Sequence, residues 1–319
     1  MRIVFAGTPA NAEATLAAMV AGGLDVVAVL TRPDAPIGRK RILTPSPVAL
    51  TAERLGIPVI KAAKVDSGTV STIKAFKPDL GVIVAYGALL KPEALETTSL
   101  GWINIHYSLL PAWRGASPVQ SSIWAGERET GITIFQLDEG MDTGPVHMQI
   151  PTLIEPGENS GSLLKRLTAL GISGLLELVP RIAAGLSAPV EQDPVLLKSL
   201  PTARKLNRDL ARINWNASAR EIECQVLAMN PEPMAWTTIG GDSIRILDAR
   251  ALGATSTEAL SQGDSMIGSV SIHSNKVFVH CGNQTLLQLL ELQPAGKNPM
   301  AATDWARGLN ESVIFDGSK

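Results

Sequence analysis

An asparagine and a histidine stand two residues apart at the end of an apolar run, Asn104 and His106 in "INIHYSLLPAWRGASP" (103–118). Residues i and i+2 of a strand project from the same face, so the two side chains share one side of the sheet the run joins. A carboxamide offers a neutral donor that can meet an oxygen as it becomes anionic, and an imidazole can hold or pass a proton at neutral pH. Nucleophilic attack on a carbonyl carbon needs both: a place for the oxyanion and a group that manages the nucleophile's proton. A carboxylate orienting the imidazole would complete the set, and "LDEGMDTG" (137–144) supplies two in a glycine-rich loop, Asp138 and Asp142. Other readings stay open at this point. An Asn-x-His pair at a strand end also serves to satisfy loop backbone, aspartates in glycine loops also form turns, and His106 with these aspartates could take a metal. No HxxxH spacing or cysteine partner accompanies that last reading.

The elements that must position these groups follow from hydrophobic patterning. "RIVFA" (2–6), "DVVAVL" (25–30), "IPVI" (57–60), "LGVIVA" (80–85) and "WINIH" (102–106) read as strands. The first four are almost wholly apolar, as strands of a parallel sheet covered on both faces must be. "ANAEATLAAMVAGG" between the first two reads as a helix closing on glycine. "SPVALTAERLG" reads as another, with Ser46 as N-cap and Pro47 at its first position. This βαβ rhythm predicts an α/β fold: a Rossmann-like, doubly wound, mostly parallel sheet. Ligands of such sheets sit outside the carboxyl ends of the strands. That rule puts Thr8–Pro9, Tyr86–Gly87 and Asn104–His106 on one rim. "GITIFQLDEGMDTGPVHMQIPTLI" (131–154) reads as two further strands, an antiparallel pair at the sheet's edge, and "ENSGSLLKRLTALGISGLLELVPRIAAG" (158–185) as a long helix broken near Gly171. A proline-spotted connection follows. After a helix from about Ala217 to Ala228, short strands and turns predict a smaller C-terminal β-barrel, open and OB-like. The domains expected are 1–188, a linker 189–206, and 207–319.

Composition excludes several classes. The 319 residues suffice for two domains with substantial cores, and a formal charge of -2 leaves no bulk attraction to nucleic acid, so any such binding must come from a local patch. From Asn207 onward acids outnumber bases, twelve to nine, so the nucleic-acid contact expected of the second domain must come through a local face, with Arg204, Lys205 and Arg208 in the linker as its candidates. Cys224 and Cys281 lie far apart without CxxC spacing, which argues against a disulfide framework and a thiolate zinc site. The N-terminus becomes strand-like at once, without the apolar core of a signal peptide. No apolar run reaches the ~18 residues of a spanning helix. A cytoplasmic protein is expected. "AGTPANAEA" after the first strand has neither G-x-G-x-x-G nor a P-loop lysine, which removes the usual reason to expect a dinucleotide on this fold.

The run "NIHYSLLPAWRGASP", followed some thirty residues later by "DEGMDTG", resembles the 10-formyltetrahydrofolate-dependent formyltransferases. The likeness spans nearly the whole chain, through "RIVFAGTP", "PSPV", "IVAYGALLKP", "INW", "NPEPMAW" and "LQPAGKNPM" in that order. It implies that Asn104, His106 and Asp142 form the catalytic trio. The Ser108, Leu109, Leu110, Pro111 turn would form part of the folate site. The pterin would lie against the loop of Tyr86, Gly87, Leu89 and Leu90, with backbone of Asp138, Glu139 and Gly140 reading its edge. The chain departs from the family at Tyr107, where a glycine or other small residue is usual; a tyrosine there is expected to line the crevice.

The segment "TRPDAPIGRKRILTPSP" (31–47) interrupts the βα rhythm with four prolines and carries Arg39, Lys40 and Arg41 in succession. Taken alone it fits a solvated, extended surface loop. A basic insertion at this point resembles the tRNA-contacting loop of family members whose acceptor is a charged initiator tRNA. The activity implied is transfer of the formyl group of 10-formyltetrahydrofolate to the α-amino group of methionyl initiator tRNA, for translation initiation. The partners implied are that tRNA and folate, without membrane or metal, and the enzyme is expected to act as a monomer. Formyltransferases acting on an amino-sugar nucleotide, which can share both domains, are the nearest alternative.

Overall fold

The structure is a computed structural model that describes residues 1–38, 40–253, 266–309 and 313–316. Two compact units account for them. One comprises 1–118, 129–152 and 164–203, and the other 119–128, 153–163 and 204–319. Neither unit is one unbroken stretch of chain, and the C-terminal part separates after Ala203.

The strands of the first unit, in chain order, are β1 (Arg2–Gly7), β2 (Asp25–Thr31), β3 (Ala35–Ile37), β4 (Ile42–Thr44), β5 (Val59–Lys61), β6 (Leu80–Val84), β7 (Trp102–His106), β8 (Arg114–Gly115), β9 (Glu129–Gln136), β10 (Val146–Leu153) and β11 (Thr202–Ala203). Seven of them make one sheet in the order β10-β9-β7-β6-β1-β2-β5. β5, β2, β1, β6 and β7 run parallel, and β9 pairs antiparallel with β7. The chain winds outward from β1 to β2 and β5, then returns to β6 and β7 on the other side. The reversal leaves a crevice at the carboxyl ends of β1 and β6, beside the end of β7.

Packing fixes β7 in its register. Gly81 of β6 stands opposite Trp102, and a Cβ at Gly81 would collide with the indole, so glycine is what lets the ring lie on the neighbouring strand. Trp102 is fully buried, and its Nε1–H donates to Ala94 O at 2.9 Å. Truncating such a side chain costs about 3–5 kcal/mol. The predicted helix starts hold: helix Ala10–Ala21 follows β1, and helix Pro47–Arg54 begins with Ser46 Oγ accepting from Ala49 N–H at 3.0 Å.

Two expectations change. The helix over 160–183 runs unbroken through Gly171. Gly171 and Gly174 are there for close approach: a Cβ on the first would meet Ile105 Cγ2 at 3.0 Å, and on the second Ile150 Cδ1 at 2.9 Å. They let the helix lie flush against β7 and β10 without interrupting it. The basic 31–47 segment is not an extended loop throughout, since β3 and β4 within it pair antiparallel as a hairpin. Gly38 at φ +71° and Arg41 at φ +49° make the turn.

The second unit carries β12 (Ala235–Ile239), β13 (Asp242–Ala251), β14 (Val270–His273), β15 (Lys276–Cys281), β16 (Thr285–Pro294) and β17 (Met300–Ala301). They form an antiparallel sheet in the order β12-β13-β16-β15-β14 with β17 on β16, an open path among the described residues. Helix Ala219–Met229, closed at its start by a Ser218–Glu221 capping box, lies over a core that includes Trp215, Ile222, Val226, Val279 and Leu287. Trp215 stacks on Phe315, ring centroids 5.0 Å apart. Cys224 and Cys281 are free and buried.

Candidate active site

Asn104 and His106 occupy the last turn of the pleat in β7, paired by backbone to Ile83 of β6 and Phe135 and Thr133 of β9. Strands on both sides hold this backbone rigid, which a site needing sub-ångström placement requires. His106 is 5% exposed. Its Nε2 lies 2.9 Å from Trp113 O. A backbone carbonyl only accepts, so Nε2 carries the hydrogen and Nδ1 is the basic nitrogen. Nδ1 faces Asp142 Oδ2 at 3.8 Å, too long for a hydrogen bond in the neutral state and close enough to stabilise an imidazolium. Burial pulls the imidazole below its ordinary value, opposed by the Asp142 carboxylate and the Trp113 hydrogen bond. The net direction is down, so the resting ring is neutral and Nδ1 is ready to accept a proton.

Asp142 reaches this position from the loop between β9 and β10. It adopts φ +54°, uncommon for a residue with a Cβ. Its Oδ2 accepts from Gly115 N–H at 2.7 Å. Gly115 has φ +120°, and a Cβ there would collide with Ala203 O. Glycine is therefore required for the backbone donor to reach the carboxylate. Asp138, the other candidate, is spent on its own loop: Oδ1 accepts from Gly140 N–H at 3.0 Å and Thr143 Oγ1–H at 2.8 Å. Glu139 and Gly140 are exposed beside it.

Asn104 Oδ1 is buried and has no hydrogen-bond partner among the described residues. A buried polar atom left in that state costs about 1–3 kcal/mol. Its carboxamide thus holds hydrogen-bonding capacity that the fold does not use, on the same face as His106.

The turn after β7 is braced internally. Ser108 Oγ–H donates to Ala112 O at 2.6 Å, Thr133 Oγ1–H to Ser108 O at 2.7 Å, and Leu110 N–H to Thr133 Oγ1 at 3.0 Å. Gln149 Nε2–H donates to Leu110 O at 2.7 Å. The polar groups of Ser108 and Leu110 are therefore committed to the protein, while Leu109 and Pro111 stay partly accessible. Tyr86 offers the expected pterin loop its backbone and not its ring. It is 1% exposed in the core, its hydroxyl donating to Ala62 O at 2.8 Å, so only its backbone faces the loop. Leu89, by contrast, is 81% exposed, with Leu90 half-buried beside it. Gly87 turns the loop at φ +85°. Tyr107 does not line a crevice. Its ring is buried and its phenol oxygen receives Asn11 Nδ2–H at 2.9 Å and lies 3.4 Å from Thr168 Oγ1, so it ties two helices to the end of β7.

Of the basic triplet, Lys40 and Arg41 are exposed at the hairpin tip, and Arg39 lies outside the described residues. Ile37, Ile42 and Leu43 of the same hairpin are exposed as well. Patterning alone does not reveal the roles of Trp113 O and Gly115 N, which are backbone groups with no side-chain signal. No group of acidic, histidine or cysteine residues fit to hold a metal occurs among the described residues. Nor, among them, is any helix long and apolar enough to cross a membrane.

A doubly wound sheet with an amide, an imidazole and a carboxylate at its carboxyl edge, followed by an antiparallel sheet domain, defines a class of two-domain group-transfer enzymes. The chain belongs to the formyl transferase family: residues 1–179 match the formyl transferase family model and 205–310 the formyl transferase C-terminal domain model. It is 45% identical over 318 residues to a methionyl-tRNA formyltransferase of Paenarthrobacter aurescens (strain TC1), covering 99% of this chain and 100% of the relative. It is 46% identical, with the same coverage, to the methionyl-tRNA formyltransferase of Arthrobacter sp. (strain FB24). In fold it is similar to an N-formyltransferase from Helicobacter canadensis, solved in complex with folinic acid and dTDP-3-aminofucose, at a TM-score of 0.65 and 17% identity over 92% of this chain and 98% of that one. HypX from Aquifex aeolicus, solved with tetrahydrofolic acid, has a TM-score of 0.64 at 16% identity, covering 100% of this chain and 51% of that one.

Proposed function

We propose that the chain transfers the formyl group of 10-formyltetrahydrofolate to the α-amino group of methionyl initiator tRNA. The observation that carries this reading is the Asn104 carboxamide, whose buried oxygen has no partner among the described residues and can accept from an incoming amine, beside a neutral imidazole whose free nitrogen faces Asp142. The identity of 45–46% along the full length of the relatives favours a charged tRNA over an amino-sugar nucleotide as acceptor.

The residues form a consistent sequence of tasks. A free α-amine titrates near ~7.7–8.0, and an adjacent ester lowers that, so a large fraction of the acceptor is already nucleophilic at neutral pH. Asn104 meets the formyl oxygen as the amine adds to the formyl carbon and the carbonyl electrons move onto that oxygen. Nδ1 of His106 takes the proton that the amine sheds, and Asp142 stabilises the resulting imidazolium. The same proton then passes to the departing folate nitrogen as the carbonyl re-forms, which returns His106 to its neutral state. Folate would rest on the exposed Leu89, with Leu90, Leu109 and Pro111, and on backbone of Gly87 and of Asp138–Gly140. An apolar shelf edged by main-chain polar groups suits a flat heterocycle. Lys40 and Arg41 at the hairpin tip, together with Arg39, would meet tRNA phosphates, Arg39 being included on sequence alone.

The test is direct. Purified protein, the formyl donor and charged initiator tRNA are expected to yield formylmethionyl-tRNA, and Asn104→Ala is expected to abolish most of it. Formylation of an amino-sugar nucleotide with the tRNA left unmodified would overturn the acceptor assignment.

A further inference from the structure

The connection over 190–203 does more than lead out of the first unit. Val190 and Val146 exchange backbone hydrogen bonds of 2.7 and 2.8 Å, which anchor the start of the segment to β10. Two residues on, Gln192 is 7% exposed, and its Nε2 donates to Asp142 O at 3.0 Å and to Gly144 O at 2.8 Å. Both partners are carbonyls, which accept only, so the amide orientation is settled and both amide hydrogens are used. Gln192 Oε1 is buried without a partner among the described residues. Farther along, Leu197 O accepts from Arg114 Nη2–H at 2.6 Å, and Pro201 O from Trp113 N–H at 2.9 Å. The segment thus holds both loops that face His106, the 113–116 loop through its backbone and the 142–144 turn through one side chain.

We propose that Gln192 is a positioning residue for the reaction, acting through Asp142; the inference rests on the catalytic role given to Asp142 above. The backbone at Asp142 sits in a left-handed conformation that local preference does not favour. Gly144 follows under a backbone so close that a Cβ would collide with Gln136 O. The two amide hydrogen bonds clamp the carbonyls on either side of this turn, and so fix the direction in which the carboxylate leaves the chain. Burying an amide with its own oxygen unpaired is unfavourable. A requirement for the two donors explains why an apolar residue does not fill this place.

The test uses the full chain, steady-state kinetics and thermal unfolding. Gln192→Met, similar in length and without donors, is expected to lower kcat about 10- to 100-fold, the range that small misplacements of a reacting group produce. KM for both substrates stays within about twofold, because Gln192 touches neither. Gln192→Glu, nearly isosteric but turning a carboxylate toward two carbonyls, is expected to lose as much. It also stands in as the test if the Met variant does not fold. The decisive reading is additivity: in an Asp142→Ala background, Gln192→Met is expected to cost no further rate, since residues acting through one another are non-additive. A fully additive loss, or a folded Gln192→Met and Gln192→Glu with near-normal kcat, would overturn the proposal while leaving Asp142 in place. Near-normal turnover in Asp142→Ala itself would remove the role of Asp142, and this inference with it.

Discussion

His106 and Trp113 are joined by a hydrogen bond of 2.9 Å from the ring Nε2 to a main-chain oxygen. That single contact decides the chemistry available to the imidazole. It fixes the tautomer, points Nδ1 toward Asp142, and leaves Nδ1 as the one position on the ring where a proton can come and go.

Asp142→Asn is expected to lower kcat by about 100-fold or more, because His106 loses the charge that supports its proton and with it most of the usual contribution of an acid–base group. The carboxylate raises the proton affinity of His106 against the lowering effect of burial. Its loss therefore moves the limb of the kcat profile that rises with pH to lower pH, even as the plateau falls. A pH–rate series on both proteins checks the direction. A limb displaced upward would contradict the assignment of that limb to His106.

Asn104→Ala is expected to reduce the chemical step about 100- to 1000-fold. Its stability should be unchanged or raised, because the substitution removes a buried oxygen that has no partner. Single-turnover rates paired with thermal unfolding separate the two effects. A variant that loses stability while keeping its rate would mean that the side chain serves the fold.

Acidification should weaken the fold through its histidines. His106, His147 and His280 are all held below their ordinary value, each chiefly by burial. Below the unfolded value of about 6.5 the unfolded chain binds more protons than the native one, so stability falls as pH drops from there toward the depressed native values. The buried His106 can add up to about 1.4 kcal/mol per pH unit inside that window, and the more accessible His147 and His280 add less. Denaturant unfolding between pH 7 and 5 should show the fall, and His106→Gln should make it shallower. An unchanged slope would show that His106 does not carry its share.

Replacing Arg39, Lys40 and Arg41 with alanine is expected to reduce kcat/KM for tRNA and leave folate binding intact. Each lost phosphate contact should also flatten the dependence of log kcat/KM on log salt by about 0.7–0.9. Identical salt slopes in the two proteins would exclude the hairpin as a phosphate-binding element.

The sheet is legible because β1, β2, β6 and β7 are short, apolar and punctuated, and their alternation with helices admits few topologies. Asn104 and His106 are legible for the same reason: strand geometry alone puts i and i+2 on one face. Choosing between Asp138 and Asp142 takes more. Both lie in one glycine loop, and only the turn conformation shows that Asp138 caps its own loop while Asp142 reaches Gly115. Gly171 misleads because a glycine that breaks a helix and one that admits a neighbouring strand look alike in sequence; Ile105 decides between them. In the 31–47 segment, prolines suggest extension, yet Pro36 sits on a two-stranded ribbon where a missing backbone donor is tolerated.

The bracing of Trp113, Arg114 and Asp142 by residues between 190 and 203 also bears on where this polypeptide can be divided. A fragment stopped at the end of the long helix would keep the side chains of Asn104, His106 and Asp142 and lose the scaffold that aims the last two. The working seam falls after Ala203, so a recombined or transplanted first half must carry that tail to arrive with its chemistry intact.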